Sequence, residues 1–469
     1  MSTTEIPGKW DHEADVIIAG GGTAGLPAGI TIAEAGLHAT ILESSPACGG
    51  SFHMVAGDVA IAGSDEQQAA GINDSPEIFY RDLMDLCGAD PEIARVYVDN
   101  QLDSYNLLKS QGIQWPNVNT LPGHSRPRGL KSSGFGSQMV KALEDRAHSA
   151  GVEILTRHRA TRLITHPSTG RIIGLKVSVK DETRNFKAKK AVVLASGGFG
   201  RNREMLAEYA PEMVDCIPKM PTAHLGDGLR MGLAVGAATK DLGSAVAPSW
   251  PVCIETHSNA LRALFWGGIL VNVHGKRFHD ESCSEGFYGP MAKAGMKQPG
   301  GFYWVVYDQR ALEEMKRHST EVEFADIERC KKHEATTIEA LANSAGIDAR
   351  GLTETIDKYN RDIDSAGYDT VFGRKFQLGK ERPLVRIDRP PFYAIKCVTS
   401  ITSLKGGLKI NGRAQVVNQY GEIIPGLYAA GEVTGGLHTR TYLLGVMSSA
   451  AMTFGIIAGT NAVKEPAWQ

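Results

Sequence analysis

The chain has 469 residues, with 50 Lys and Arg against 52 Asp and Glu and a formal net charge of −2. Hydrophobic residues make up 42% and charged residues 22%, which excludes global disorder and a coiled coil. So even a balance offers no field of one sign to gather nucleic acid or anionic lipid.

Ala14-Asp15-Val16-Ile17-Ile18-Ala19 is a continuous apolar run, the pattern of a buried parallel strand. It leads directly into Gly20-Gly21-Gly22-Thr23-Ala24-Gly25, then a helical stretch from Leu26 to Ala35. His38 to Glu43 forms a second strand that ends in an acid, completing a βαβ unit. Residues 76–118 are predicted helical, with Pro76 at the start after Asp74-Ser75, and residues 134–150 form another helix. Short alternating runs from Val152 to Val179 predict an antiparallel meander, and Ala191 to Ala195 a third buried strand ending at Ser196-Gly197-Gly198. From about residue 242 the composition changes, and residues 310–365 are charged and helical. Gly426-Leu427-Tyr428-Ala429-Ala430-Gly431-Glu432 returns to a short strand entering a glycine turn, and residues 446–463 form a helix of small residues.

Seven cysteines at 48, 87, 216, 253, 283, 330 and 397 include no C-x-x-C pair. This excludes a zinc ribbon, a c-type haem site and a dithiol centre, and it fits a reducing cytoplasm. Met1 to Asp15 lacks the apolar run of a signal peptide, and no run of about 18 apolar residues predicts a membrane span. The histidines show no metal-ligand spacing, so no metal is expected.

The glycines at 20, 22 and 25 follow a strand, open a helix, and precede Glu43 at the end of the next strand. That is the full context of a dinucleotide-binding fingerprint. Gly20 allows the tight turn, Gly22 admits the pyrophosphate to the backbone, and Gly25 lets helix and strand pack closely. Glu43 can accept hydrogen bonds from a ribose diol. No second such fingerprint follows a strand, so a separate nicotinamide-binding domain is not expected.

Beyond this unit, Gly268-Ile269-Leu270-Val271-Asn272 with Gly275-Lys276-Arg277-Phe278, and Gly426 through Gly436, are distinctive. With the fingerprint, these segments resemble the flavoprotein family of fumarate reductase, succinate dehydrogenase, urocanate reductase and the 3-ketosteroid dehydrogenases. The resemblance implies an α/β fold: a Rossmann-like FAD-binding domain, residues 1–241 and 391–469, with an inserted α+β capping domain, residues 242–390. It implies non-covalent FAD, with the strand and glycine turn at Gly426–Glu432 at the ribityl end of the flavin, and carries Ala24, Glu43, Gly50, Ser51, Ala160, Asp227, Glu432 and Ser448 onto cofactor contacts. Thr23, Ser44, Ser196, Gly197 and Gly445 join Gly20, Gly22 and Gly25 in the same set. His53 stands alone near the place where covalent members carry an attachment histidine.

The family moves a hydride between flavin and a β carbon and a proton at the α carbon. Fumarate reductases place an Arg that serves as the proton donor four residues after the Glu of R-F-x-[ND]-E; here Arg277-Phe278-His279-Asp280-Glu281 is followed at that spacing by Glu285. Ketosteroid desaturases resemble this region with a Tyr, for which Tyr288 stands. In the late H-x-x-x-R run His438 is kept and the Arg position is Tyr442, with Gly445 three residues on. A Tyr followed shortly by a Gly here resembles the ketosteroid desaturases, which implies that the Tyr442 hydroxyl and the amide of Gly445 or Val446 hold a ketone oxygen, and losing two arginines weighs against a dicarboxylate. Arg440 is a candidate compensating cation. The expected activity is desaturation, or the reverse reduction, of the α,β bond of a cyclic or steroid-like ketone, with an external electron carrier as partner. The alternatives are an ene-reductase of a small unsaturated acid using Arg440 and His438, and a non-catalytic flavin electron carrier.

Overall fold

The computed structural model describes residues 6–54, 57–121, 123–180, 182–242, 251–282, 289–319, 321–378 and 382–468. Its contacts divide the chain into two units. One comprises Met1–Val214, Met220–Val246 and Ser403–Gln469; the other comprises Asp215–Lys219 and Ala247–Thr402.

The first unit is built on an eight-stranded sheet. Its strands are β1 (His12–Ala19), β2 (Ala39–Glu43), β3 (Glu153–Thr156), β4 (His158–Thr165), β5 (Ile172–Val179), β6 (Glu182–Leu194), β7 (Gln415–Val417) and β8 (Ile423–Ala429). The spatial order is β7-β8-β6-β1-β2-β3, with β5 joining β6 and β4 joining β5. The central strands β8, β6, β1, β2 and β3 are parallel, and Val16 to Ala19, Ala39 to Leu42 and Ala191 to Leu194 are buried throughout. Continuous apolar runs are what two covered faces require. The third buried strand is longer than its apolar run. Residues 182–187 of β6 pair antiparallel with β5, and the same strand continues beside β1 as far as Leu194.

Helix α1 (Gly25–Glu34) lies against the sheet and against the late helix α3 (Val446–Lys464); α2 (Asp227–Ala234) lies between them in sequence. A Cβ on Gly455 would stand 2.2 Å from the Ala24 carbonyl oxygen, so the two helices meet at backbone distance. Helix α3 is long and apolar enough to cross a membrane, but most of it is buried in this unit. Its composition is that of a core helix.

The expected helix over 76–118 is broken. It runs over Pro76–Asp82, capped by Ser75, passes through a wider turn at Leu83–Cys87, and restarts at Pro91–Ser110. Gly88 at φ 62° ends the first piece in the left-handed region.

In the second unit the strand Phe392–Ile401 is central. It pairs antiparallel with Phe302–Asp308 on one side; on the other, Lys332–Ala335, Pro251–Cys253 and Ile217–Pro218 follow one another along its length. Helices Ile338–Ala345 and Ala349–Ala366 cover one face, burying Leu341, Leu352, Ile356 and Tyr359 against Trp304, Val306 and Ala394. Trp304 is thus a core residue, and Trp266 stacks on His318 at 4.7 Å. Trp250 lies outside the described residues.

The R-F-x-D-E motif anchors this unit. Glu281 is fully buried and accepts from Leu270 N (2.9 Å), Arg277 Nη2 (2.6 Å) and Arg374 Nη1 (3.0 Å), while Arg277 Nη1 reaches Asp369 at 2.7 Å. Burial alone would raise the Glu281 carboxyl; the two guanidiniums outweigh it and hold it down at about 2. Glu281→Gln is expected to cost about 3–5 kcal/mol, since it leaves buried guanidiniums without their counter-ion. The depressed value also means that Glu281 contributes stability present above its ordinary range near 4.5 and lost as pH falls towards 2. Urea denaturation measured against pH should therefore show a shallower acid limb in the variant than in the wild type.

Candidate active site

Strands β1 and β6 end side by side. Gly20 N donates to Leu42 O and Ala195 N to Ala19 O, both at 2.8 Å. Gly20 has φ 114°, and a Cβ there would lie 2.3 Å from the Ala195 carbonyl oxygen, so only glycine fits. A Cβ on Gly25 would lie 1.8 Å from the Gly20 carbonyl oxygen. Gly22 is the opposite case: a Cβ on it meets nothing within 4 Å, and one on Gly50 meets only the Gly22 Cα, at 3.9 Å. The two outer glycines thus close the turn, while the middle one faces open space with Gly50 across from it. Helix α1 starts from Ala24 with no side-chain cap and no acid in its first turn, which leaves its amides and the helix dipole for an anion. These features fit the pyrophosphate of a dinucleotide.

Glu43, buried at the end of β2, accepts from Gly21 N (3.0 Å) and Ser45 N (2.6 Å), which fixes its carboxylate beside the turn. Ser44 is exposed, with its hydroxyl 3.4 Å from Glu43 Oε1. Ser196 Oγ accepts from Gly228 N at 3.1 Å, tying the end of β6 to α2. Asp227 opens α2 and is already engaged by Arg159 (2.7 and 2.8 Å) and by Arg230 (2.9 Å). Ala160 is buried next to Arg159 on β4. Thr23 is half-buried in the fingerprint turn, and Ser448 is half-buried in the first turn of α3.

After β8 the chain turns through Gly431, where a Cβ would stand 3.0 Å from that of Ala24. Glu432 follows, its Oε1 accepting from Leu404 N at 2.8 Å. Burial raises its carboxyl above the ordinary range. Sequence reasoning missed His224, which lies between Ser51, Gly197 and Glu432. A single histidine in a loop carries no spacing signal. His53 is exposed, with Nε2 2.8 Å from Cys48 O and Nδ1 3.3 Å from Ser137 Oγ. Both ring nitrogens thus have hydrogen-bond partners.

The catalytic candidates separate into three groups. His438 and Tyr442 pack in a tilted pair, with ring centroids 5.1 Å apart and planes 33° from parallel. His438 Nε2 is buried without a hydrogen-bond partner among the described residues, and the Tyr442 hydroxyl has none there either. Burial, with help from the Lys405 ammonium, pushes the His438 imidazole down to about 3, so it is neutral. Burial, then the Glu432 carboxylate, raises the Tyr442 hydroxyl, so it keeps its proton. Gly445, at φ 81°, caps α3, and its carbonyl accepts from Ala60 N at 3.3 Å. Val446 N is taken by Leu443 O at 3.3 Å.

Arg440 is exposed, and its guanidinium donates to the carbonyls of Met84 (2.9 Å) and Asp85 (3.1 Å). That engagement competes with any substrate contact. Glu285 and Tyr288 lie outside the described residues. Lys405, unremarked in the sequence, is buried, lines a cavity together with His438, Leu404, Met447 and Phe454, and donates to Arg440 O at 3.3 Å. No group of three His, Cys, Asp or Glu among the described residues can hold a metal ion.

Comparison with known proteins agrees with this geometry. The model of the family described as "FAD binding domain" matches residues 15–447. A probable fumarate reductase of Shewanella frigidimarina is 30% identical over 96% of this chain and 74% of its own length. The open conformation of a flavocytochrome c3 fumarate reductase superposes with a TM-score of 0.83 at 28% identity, covering 97% of this chain and 79% of that one. A 3-ketosteroid-Δ4-(5α)-dehydrogenase from Rhodococcus jostii gives a TM-score of 0.78 at 27% identity, covering 98% of each chain.

With FAD in this groove, Glu43→Ala is expected to weaken its binding by about 1.5–3 kcal/mol, the worth of a charge-assisted hydrogen bond, and to leave the fold intact. Titration of the apoprotein, followed by quenching of flavin fluorescence, measures this directly. The open glycine groove, the uncapped helix α1 and the match over residues 15–447 make the chain a member of the FAD binding domain family, and so an FAD-dependent oxidoreductase.

Proposed function

We propose that the protein desaturates, or in reverse reduces, the carbon–carbon bond next to the carbonyl of a cyclic, steroid-like ketone. Bound FAD supplies the two-electron chemistry, exchanging a hydride with the β carbon. The residues of the chain hold the carbonyl and move the α proton. When that proton leaves, negative charge gathers on the carbonyl oxygen, and donors aimed there lower the barrier.

One observation carries this reading: an adjacent His438 and Tyr442, each neutral and each with a polar atom lacking a hydrogen-bond partner among the described residues. Leaving a buried polar group such as His438 Nε2 without a partner costs about 1–3 kcal/mol, so it calls for a partner from a ligand, which the neighbouring Tyr442 hydroxyl can share. A neutral imidazole and a phenol suit a ketone oxygen, which becomes an oxyanion only in the transition state. Glu285 or Tyr288 serves as the acid–base group at the α carbon in this proposal, as their place after the Arg277–Glu281 motif implies. An external carrier exchanges electrons with the flavin.

A second reading has its own support. Lys405 is a buried ammonium in the cavity that His438 lines, and a cation there suits a small unsaturated carboxylate. Several relatives bear names of that class, including fumarate reductase and urocanate reductase. Lys405→Met separates the two: it should abolish turnover of an unsaturated acid and leave turnover of a ketone within a few-fold.

Tyr442→Phe is the direct test of the ketone reading. Removing one oxyanion donor costs about 10²–10³ in rate. The variant should therefore stay yellow and folded, and lose about that factor in ketone turnover with little change in KM. Turnover within a few-fold of wild type would make Tyr442 a packing residue and overturn the proposal. Exchange of the substrate's α proton with deuterated water, measured in Glu285→Gln and Tyr288→Phe, identifies the base: exchange stops only in the variant that lacks it.

A further inference from the structure

His224 stands among three of the cofactor candidates, Ser51, Gly197 and Glu432, without having been one of them. It is 6% exposed. Its Nε2 is 3.3 Å from Ser51 Oγ, and its Nδ1 is 3.6 Å from Glu432 Oε2. A Cβ on Gly197 would lie 2.7 Å from Nε2, so Gly197 is small because the imidazole fills that space. The ring thus joins the loop after Gly50 to the turn after β8. Its Nδ1 is buried and makes no hydrogen bond among the described residues.

The surroundings fix which nitrogen carries the proton. Ser51 can donate to Nε2, which leaves the proton on Nδ1. The opposite tautomer would aim an Nδ1 lone pair at the Glu432 carboxylate, a repulsive arrangement. Nδ1–H therefore faces the carboxylate, at a distance too long for a hydrogen bond. Glu432 is half satisfied: Oε1 accepts from Leu404 N, and no donor is within hydrogen-bond distance of Oε2 among the described residues.

A donor without an acceptor thus stands next to an acceptor without a donor. The group that completes both must accept from Nδ1–H and donate to Oε2. A carbonyl oxygen cannot donate, and a phosphate or carboxylate would be repelled by Glu432. An alcohol does both.

We propose that His224 is an FAD-binding residue that, with Glu432, holds a hydroxyl of the flavin's ribityl chain, His224 donating to the hydroxyl oxygen and the hydroxyl donating to Glu432. This rests on the assignment of the Glu432 turn to the ribityl end of the flavin. Ser51 then acts through His224, by fixing its tautomer.

The test is the dissociation constant of FAD from the apoprotein, read by quenching of flavin fluorescence, so no substrate is needed. His224→Leu should raise it about five- to tenfold, the worth of one neutral hydrogen bond. His224→Asn places an amide N–H near the position of Nδ1 and should return it to within about twofold of wild type. The melting temperature of the apoprotein should be the same in all three. In a Glu432→Gln background His224→Leu should cost less than it does alone, because the two residues share one hydroxyl. An unchanged constant in His224→Leu, or an Asn variant as weak as the Leu variant, would overturn the inference. If Glu432→Gln weakens binding and His224→Leu does not, His224 alone is misassigned. If neither weakens it, the ribityl assignment of the Glu432 turn fails, and the inference with it.

Discussion

Everything at the cofactor site depends on how closely backbone approaches backbone at the end of β1. Gly20 lies against the Ala195 carbonyl, Gly25 against the Gly20 carbonyl, and Gly455 of α3 against the Ala24 carbonyl. A single methyl at any of the three would displace a strand or a helix. This contact brings the start of α1, the end of β6 and the Gly431 turn together, and the turn's own Gly21 amide donates to the Glu43 carboxylate. The open space at Gly22 exists because its neighbours are closed.

Buried charge is compensated within each unit: Glu281 and Asp369 answer Arg277 and Arg374 in the second, and Asp74 and Asp82 answer the fully buried Arg128 in the first. The pair proposed to hold a carbonyl is neutral instead: burial keeps the proton on Tyr442 and off His438. An oxyanion that appears only in the transition state is well served by neutral donors, since a fixed guanidinium would bind a ground-state carboxylate just as firmly. Arg440, whose position in the late motif invites a substrate role, instead closes the turn at Met84 and Asp85.

The parallel core was legible because buried strands leave continuous apolar runs, and the fingerprint because its glycines stand between a strand and a helix. The first half of β6 was not, since Glu182 to Asn185 are polar and join the sheet only through pairing with β5. The strand Lys332–Ala335 is similarly polar; its pairing with Phe392–Ile395 interrupts what the local pattern presents as one helical stretch. Within the site, residues on motifs could be found and residues brought in by the fold could not. His224 and Lys405 lie in loops whose local sequence gives no reason to expect burial. Ser51, Glu432 and Tyr442 could be named as candidates because a family pattern passes through them.

The most direct measurement is anaerobic stopped-flow reoxidation of the photoreduced protein. One syringe carries reduced enzyme; the other carries either 4-androstene-3,17-dione or fumarate. Recovery of the oxidised flavin spectrum with the steroid enone, at a rate that saturates with its concentration, and no recovery with fumarate is the expected result. Rapid reoxidation by fumarate with none by the enone would contradict the ketone assignment, and would place a carboxylate where His438 and Tyr442 are proposed to hold a ketone.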